Sequence, residues 1–272
     1  MALLDPILVL ELLLLGCCTG FLAGLLGIGG GMLMVPFLTV IFSNRGVEAG
    51  LALKMAVATA MATILFTSIS SVRAHHARGA VRWDLVKTLA PGIVLGGLLS
   101  GAGLFAVIKG SALGLLFAGF VGFSATQMLL DRKPQPGRQM PGALGAGAAG
   151  AGIGLVAGLV GAGGAFMSVP FMVWCNVAIH NAVATSAALG FPIALSSTAG
   201  YVIAGWGLAS PLPGTLGYLS LPALGVLALA SVLMAPHGAR AAHRLDTQRL
   251  KKVFAVLLYG LAGFMVWRML RG

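Results

Sequence analysis

The stretch Gly24-Leu-Leu-Gly27-Ile-Gly29-Gly30-Gly31-Met-Leu-Met-Val35-Pro36-Phe37 decides the fold, because the chain carries it twice. It returns as Gly158-Leu-Val-Gly161-Ala-Gly163-Gly164-Ala165-Phe-Met-Ser-Val169-Pro170-Phe171. Other anchors recur in the same order: Val57-Ala58-Thr59-Ala60 as Val183-Ala184-Thr185-Ser186, Ser70-Ser71 as Ser196-Ser197, and Gly122-Phe123 as Gly263-Phe264. Self-similarity over half a chain is the mark of an internal duplication.

Around these anchors the sequence is almost continuously apolar. It is 58% hydrophobic and only 8% charged, where a soluble domain carries roughly 25% charge. Apolar elements are expected at residues 6–27, 31–43, 47–72, 84–108 and 111–130. After the linker Asp131-Arg-Lys-Pro-Gln-Pro-Gly-Arg138 they resume at 141–161, 165–178, 181–206, 214–236 and 249–270. Several reach the roughly 20 residues that cross the hydrocarbon as a helix. The second element of each half holds about 13, or ~20 Å of helix, too short to span alone. The N-terminal Met1-Ala-Leu-Leu-Asp5-Pro6 lacks the basic region of a secretory signal, so the first element is expected to be retained.

Charge placement relates the two halves. The loop after the third element carries Arg73, Arg78, Arg82 and Lys87, while its counterpart around Gly207–Gly214 carries no Lys or Arg. The loop after the fourth element reverses this, with Lys109 alone in the first half and Arg240, Arg244, Arg249, Lys251 and Lys252 in the second. Basic loops stay cytoplasmic, so equivalent loops fall on opposite faces. The expected architecture is an all-α integral membrane protein: a first repeat at 1–131, a cytoplasmic linker at 132–140 and an inverted second repeat at 141–272. Each repeat holds about five helical elements, and the short broken or re-entrant half-helices meet near the midplane. Both termini would lie outside, against which Arg268 and Arg271 count.

Inverted repeats with interrupted helices place transporter sites at the midplane. Irregular backbone survives in a membrane only where it is buried in protein or lines a cavity. Gly27, Gly29, Gly30 and Gly31, with Gly161, Gly163, Gly164 and Ala165, would form two hairpins, each opening a short helix whose first amides lack intrahelical partners. Two such helix N-termini suit a small anion. Spacings such as Gly92/Gly96 and Gly150/Gly154/Gly158 read instead as close helix contacts.

The duplicated Gly-x-Gly-Gly-(Gly/Ala)-x-x-x-Val-Pro resembles the signature of the TauE/SafE sulfite exporter family, also called the toluene-sulfonate uptake permeases. The resemblance covers nearly the whole chain. It implies a bacterial inner-membrane carrier for sulfite, sulfonates or related small organosulfur or organic anions. Ala165 departs from the pattern where the first hairpin has Gly31.

The third element of each half is rich in hydroxyls: Thr59, Thr63, Thr67, Ser68, Ser70 and Ser71 against Thr185, Ser186, Ser196, Ser197 and Thr198. A single hydroxyl more readily bonds back to its own helix. Thr59, Thr185 and Ser186 are the expected substrate contacts. Lys54 and His180, matched at the start of this element, either attract the anion or, for Lys54, snorkel to the headgroups. Only Glu11 of the six acids falls within a span, which disfavours a carboxylate proton relay and a cationic substrate. Any proton coupling would run through His180, Glu11 or the substrate.

His75, His76, His237 and His243 lack Cys or carboxylate partners, so neither a metal nor another cofactor is expected. The basic residues form short clusters with no aromatic-interleaved face, which excludes a nucleic-acid partner. Cys17, Cys18 and Cys175 show no disulfide or zinc pattern. Trp83, Trp206 and Trp267 sit near element ends like an interfacial belt, with Trp174 near the end of the second short helix. The expected partners are the bilayer, a small anion and, as an open option, a second copy in a homodimer. Two other functions compete with a carrier: a membrane enzyme handling sulfur through a reactive Cys17 or Cys18, and a passive anion channel.

Overall fold

The computed structural model describes residues 5–26, 30–130, 137–210, 212–242 and 247–271. Gly27 and Gly29 of the first hairpin, most of the linker with the repeat boundary, and His243 and Arg244 lie outside the described residues.

The first half holds α1 (Pro6–Leu26), α2 (Gly31–Ser43), α3 (Ala49–His76), α4 (Trp83–Val107) and α5 (Gly110–Leu130). The second holds α6 (Ala143–Val160), α7 (Ala165–Trp174), α8 (Ile179–Ala204), α9 (Leu221–Ala242) and α10 (Thr247–Arg271). Eight of these are long and apolar enough to cross a membrane, while α2 and α7 are too short. The chain is an all-α, multi-pass integral membrane protein.

Three details differ from the sequence reading. The helix expected from 214 starts at Leu221, preceded by a two-stranded hairpin, β1 (Thr215–Leu216) and β2 (Leu219–Ser220). Gly214 and Gly217 hold φ of +73° and +59°, a backbone no helix contains. Helix α3 runs past residue 72 through Arg73-Ala74-His75-His76, residues that a helix accommodates well when the end is exposed. Helix α4 contains a π-helical turn at Leu99–Leu104, an inserted-residue bulge that no apolar pattern announces.

Small residues decide which helices touch. Helix α1 lies parallel on α9, with Gly16 against Ala230, Gly20 against Ser231 and Gly24 against Ala235. Helix α4 lies parallel on α6 in the same way, Gly92 against Gly147 and Gly96 against Ala151. A Cβ on Gly16 would strike the Ala230 Cβ, and one on Gly20, Gly24, Gly92 or Gly96 would strike the neighbouring helix's backbone, so the helices approach as only Gly permits. Helix α5 runs antiparallel to α10: Gly114 meets Met269, and the Thr126 and Tyr259 hydroxyls share a 2.6 Å hydrogen bond. Helices α3 and α8 are likewise antiparallel, with Ser68 beside Gly190 and Asn181 Nδ2 donating to the Ala80 carbonyl at 2.8 Å.

The core is centred on α3, whose Leu53, Met55, Val57 and Met61 are fully buried together with Val35 and Leu38 of α2. Helices α1 and α10 are peripheral and turn Ile7, Leu10, Leu14, Val253, Val256 and Leu270 outward. An outer surface of this kind is suited to hydrocarbon, while the backbone groups are satisfied inside each helix.

Candidate functional site

The second half carries a glycine turn before its short helix, and the first-half short helix opens at Gly30 and Gly31. Gly161 and Gly164 hold φ of +73° and +75°, and α7 starts when the amides of Met167 and Ser168 donate to the Gly164 carbonyl at 3.1 and 2.9 Å. In the first half, Leu33 and Met34 donate to the Gly30 carbonyl at 3.2 and 3.1 Å. The start of α2 meets the second-half turn: a Cβ on Gly31 would overlap the Gly161 carbonyl oxygen. Gly30, Gly31, Gly161 and Gly164 are buried at this junction.

Beside it lies a cavity of about 600 Å³. Gly163 and Ala165 stand at its inner end, Ile64, Thr67, Ser68, Ser70 and Ser71 of α3 form one wall, and Val183, Ser186, Ala187 and Gly190 of α8 another. The ends of α1 and α9 close the sides, and His75, Arg78 and Arg240 line the mouth. Arg78 and Arg240 are exposed there. Among the described residues no carboxylate pairs with either of them, whereas Arg82 is held by Asp84 at 2.7 and 3.0 Å. Among the described residues no acid lines the cavity.

Of the residues singled out from the sequence, Gly163, Ala165 and Ser186 line this cavity. Ser186 is tied to the short helix by a 2.7 Å hydrogen bond between its hydroxyl and that of Ser168, both buried. Thr59 and Thr185 are fully buried elsewhere and serve as matched staples. The amide of Ser220, in the loop before α9, donates to Thr59 Oγ1 at 3.2 Å. The amide of Arg82, in the loop before α4, donates to Thr185 Oγ1 at 3.1 Å. Lys54 donates to the Ala106 carbonyl at 3.1 Å, with its ammonium 5.9 and 5.6 Å from the Phe105 and Tyr218 rings, and does not line the cavity. His180 is exposed at the start of α8. Thr63, Ser68 and Ser196 bond back to carbonyls of their own helices, which is the usual arrangement for a helical hydroxyl.

Sequence reasoning placed His75 in a loop and took Arg78 and Arg240 as topological charges. The available signal was their position just past the expected ends of two apolar helices, which continue to His76 and Ala242 and bring His75, Arg78 and Arg240 to the cavity mouth. Glu11 forms a 2.8 Å ion pair with Arg45. Trp174 lies under the Arg138 guanidinium at 4.8 Å. Cys17, Cys18 and Cys175 are free thiols, and burial pushes the Cys175 thiol up, away from the reactive thiolate.

The comparisons with known proteins agree on class. Over 92% of its length the chain is 34% identical to a probable membrane transporter protein of Haemophilus influenzae, covering 95% of that protein. It is 26% identical to a probable membrane transporter protein of Methanocaldococcus jannaschii, with 94% of each chain covered. It is also 26% identical to the probable membrane transporter protein YdhB of Bacillus subtilis, over 74% of this chain and 80% of that one. No solved structure matches. All three are named as probable membrane transporters, and none as an enzyme. The model of the sulfite exporter TauE/SafE family matches residues 12–265, and the chain is a membrane transporter belonging to that family.

Proposed function

We infer that the protein is an alternating-access carrier for a small anion: sulfite, a sulfonate or a related organosulfur or organic anion. In a bacterial cell it would work in the inner membrane. The cavity carries this reading. Its hydroxyl row leads from Arg78 and Arg240 at the mouth to the glycine junction, and among the described residues its lining holds no acid. At its inner end the first amides of α7 have no carbonyl one turn earlier, so they and the helix dipole favour negative charge. Ser70 and Ser71 can donate to oxyanion oxygens in the water-poor interior, and so can Ser186 when Ser168 is the donor of the bond between them. Arg78 and Arg240 raise the local anion concentration at the entrance.

Inverted halves supply the means of alternation. A two-fold axis in the membrane plane makes elements that pair with their own counterparts antiparallel, whereas an axis along the normal makes them parallel. Both α5 with α10 and α3 with α8 are antiparallel. The staples Ser220–Thr59 and Arg82–Thr185 obey the same exchange. The basic mouth is then the cytoplasmic one.

Purified protein in liposomes should show saturable flux and counterflow of at least one of sulfite, sulfoacetate, taurine or simple carboxylates. Folded protein that binds and moves none of them would sink the substrate class. Flux that never saturates and shows no counterflow would make it a channel.

A further inference from the structure

We propose that Ser100, Ser197 and Tyr201 line a second half of the substrate path, closed in this state, leading to the membrane face opposite Arg78 and Arg240. The proposal rests on the carrier reading and extends it to residues outside the open cavity.

The relation between α3 and α8 locates this path. The offset that carries Thr59 onto Thr185 and Ser71 onto Ser197 also carries His75 onto Tyr201. Ser70, Ser71 and His75 line the open cavity. Their counterparts Ser196, Ser197 and Tyr201 are 4%, 0% and 0% exposed. One copy of the pattern faces a cavity and the other faces packed protein.

The packing is chemically incomplete. The Ser100 hydroxyl is buried with no hydrogen-bond partner among the described residues, and the Ser197 hydroxyl is buried beside that of Tyr201, whose proton goes to the Gly158 carbonyl. Both converge on Gly158, where a Cβ would lie 2.5 Å from the Ser100 oxygen and 2.8 Å from that of Ser197. Buried hydroxyls left unpaired carry a standing desolvation cost. An otherwise close-packed core does not need them. Opening at this point would give them water or an anion's oxygens as partners.

The closure is built of separable parts. The Tyr201 hydroxyl donates to the Gly158 carbonyl on α6. Its ring stacks on Phe105 at 4.4 Å, and Phe105 meets Tyr218 edge-on at 5.4 Å. Lys54 caps this layer through the Ala106 carbonyl. Ser100 sits in the π-helical turn of α4, and Gly101 of that turn packs on Gly200 of α8, backbone to backbone. A π turn is where a helix can change register locally, so α4 can withdraw from α8 there without melting.

The test uses a variant free of Cys17, Cys18 and Cys175 in oriented liposomes, probed with a membrane-impermeant thiol reagent from either face. S71C reports the open cavity, and S197C or S100C reports the closed path. S197C and S100C should label from the face opposite Arg78, more slowly than S71C labels from its own. Tyr201→Phe removes the bond to Gly158 and keeps the ring; it should speed that labelling roughly two- to tenfold, the equivalent of one hydrogen bond. A transported anion should change the S71C and S197C rates in opposite directions. Saturable flux with S197C and S100C inert from both faces, in the Tyr201 and Tyr201→Phe forms alike, would overturn the proposal. Labelling of both from the Arg78 face would overturn it too. Absence of flux for every anion, with S197C labelling as expected, would instead defeat the anion-carrier reading and leave the path standing.

Discussion

Replacing Gly164 with Ala tests the hairpin geometry, because the structure divides its cost into two parts. The residue's φ is +75°, where an L side chain costs about 1–2 kcal/mol. The added Cβ would also overlap Ile193 Cδ1 on α8. Overpacking of that kind costs about 1–3 kcal/mol. The struck atom is the mobile tip of a side chain, so the lower end applies and the total is about 2–3 kcal/mol. Ile193→Val deletes only that tip, and alone it costs about 0.5–1.5 kcal/mol. In the double variant the clash is gone and only the backbone term and the trimmed methyl remain. The double cost should therefore fall short of the sum of the singles by about 1 kcal/mol. Stability would be followed by denaturant titration in mixed micelles, with anion flux measured on the same preparations. The reasoning is refuted if Gly164→Ala matches the parent in stability and flux, or if the two substitutions prove additive.

Three other outcomes are expected. Ser168→Ala and Ser186→Ala each strand a buried hydroxyl and should cost about 1–3 kcal/mol, whereas the double variant should cost less than the sum; a double-mutant stability cycle measures this. Thr59→Val and Thr185→Val keep the side-chain shape but leave the Ser220 and Arg82 amides unbonded. Each should lose about 1–3 kcal/mol and speed amide hydrogen exchange in the loop it held, and unchanged exchange would count against the staples. Arg78→Gln and Arg240→Gln should raise the half-saturating anion concentration several-fold at low salt, with little loss of stability, and the difference should shrink as salt screens the mouth. A purely topological role for these arginines would leave saturation unchanged and alter insertion instead.

The architecture was legible because a bilayer leaves few options. Apolar runs of spanning length can only be helices, and a duplicated glycine cluster before a short run marks a broken one. The Gly92/Gly96 and Gly150/Gly154 spacings marked close helix contacts, since backbone can approach backbone only there, and the structure pairs them with each other's helix. Hydroxyls were less legible. Thr59, Thr185 and Ser186 look alike in a helix, and whether each holds a loop amide or borders a cavity depends on partners about a hundred residues or more away. The mouth was hidden because a basic residue at a helix end reads as topology until the helix is seen to continue beneath it. The π turn in α4 and the hairpin before α9 were hidden because one extra residue or one glycine turn leaves the hydropathy trace unchanged.

The contact between α1 and α9 carries a consequence for biogenesis. Helix α1 is synthesised well before α9, yet the face bearing Gly16, Gly20 and Gly24 fits against residues 227–235, and the Ser231 hydroxyl bonds the Gly16 carbonyl at 3.2 Å. Until α9 is inserted, α1 must wait in the lipid with its glycine face uncovered. Assembly of this pair is thus gated by a contact between residues 215 apart in sequence. A chain cut short before α9 would present that face to membrane quality control, and supplying α9 and α10 as a separate polypeptide would cover it again.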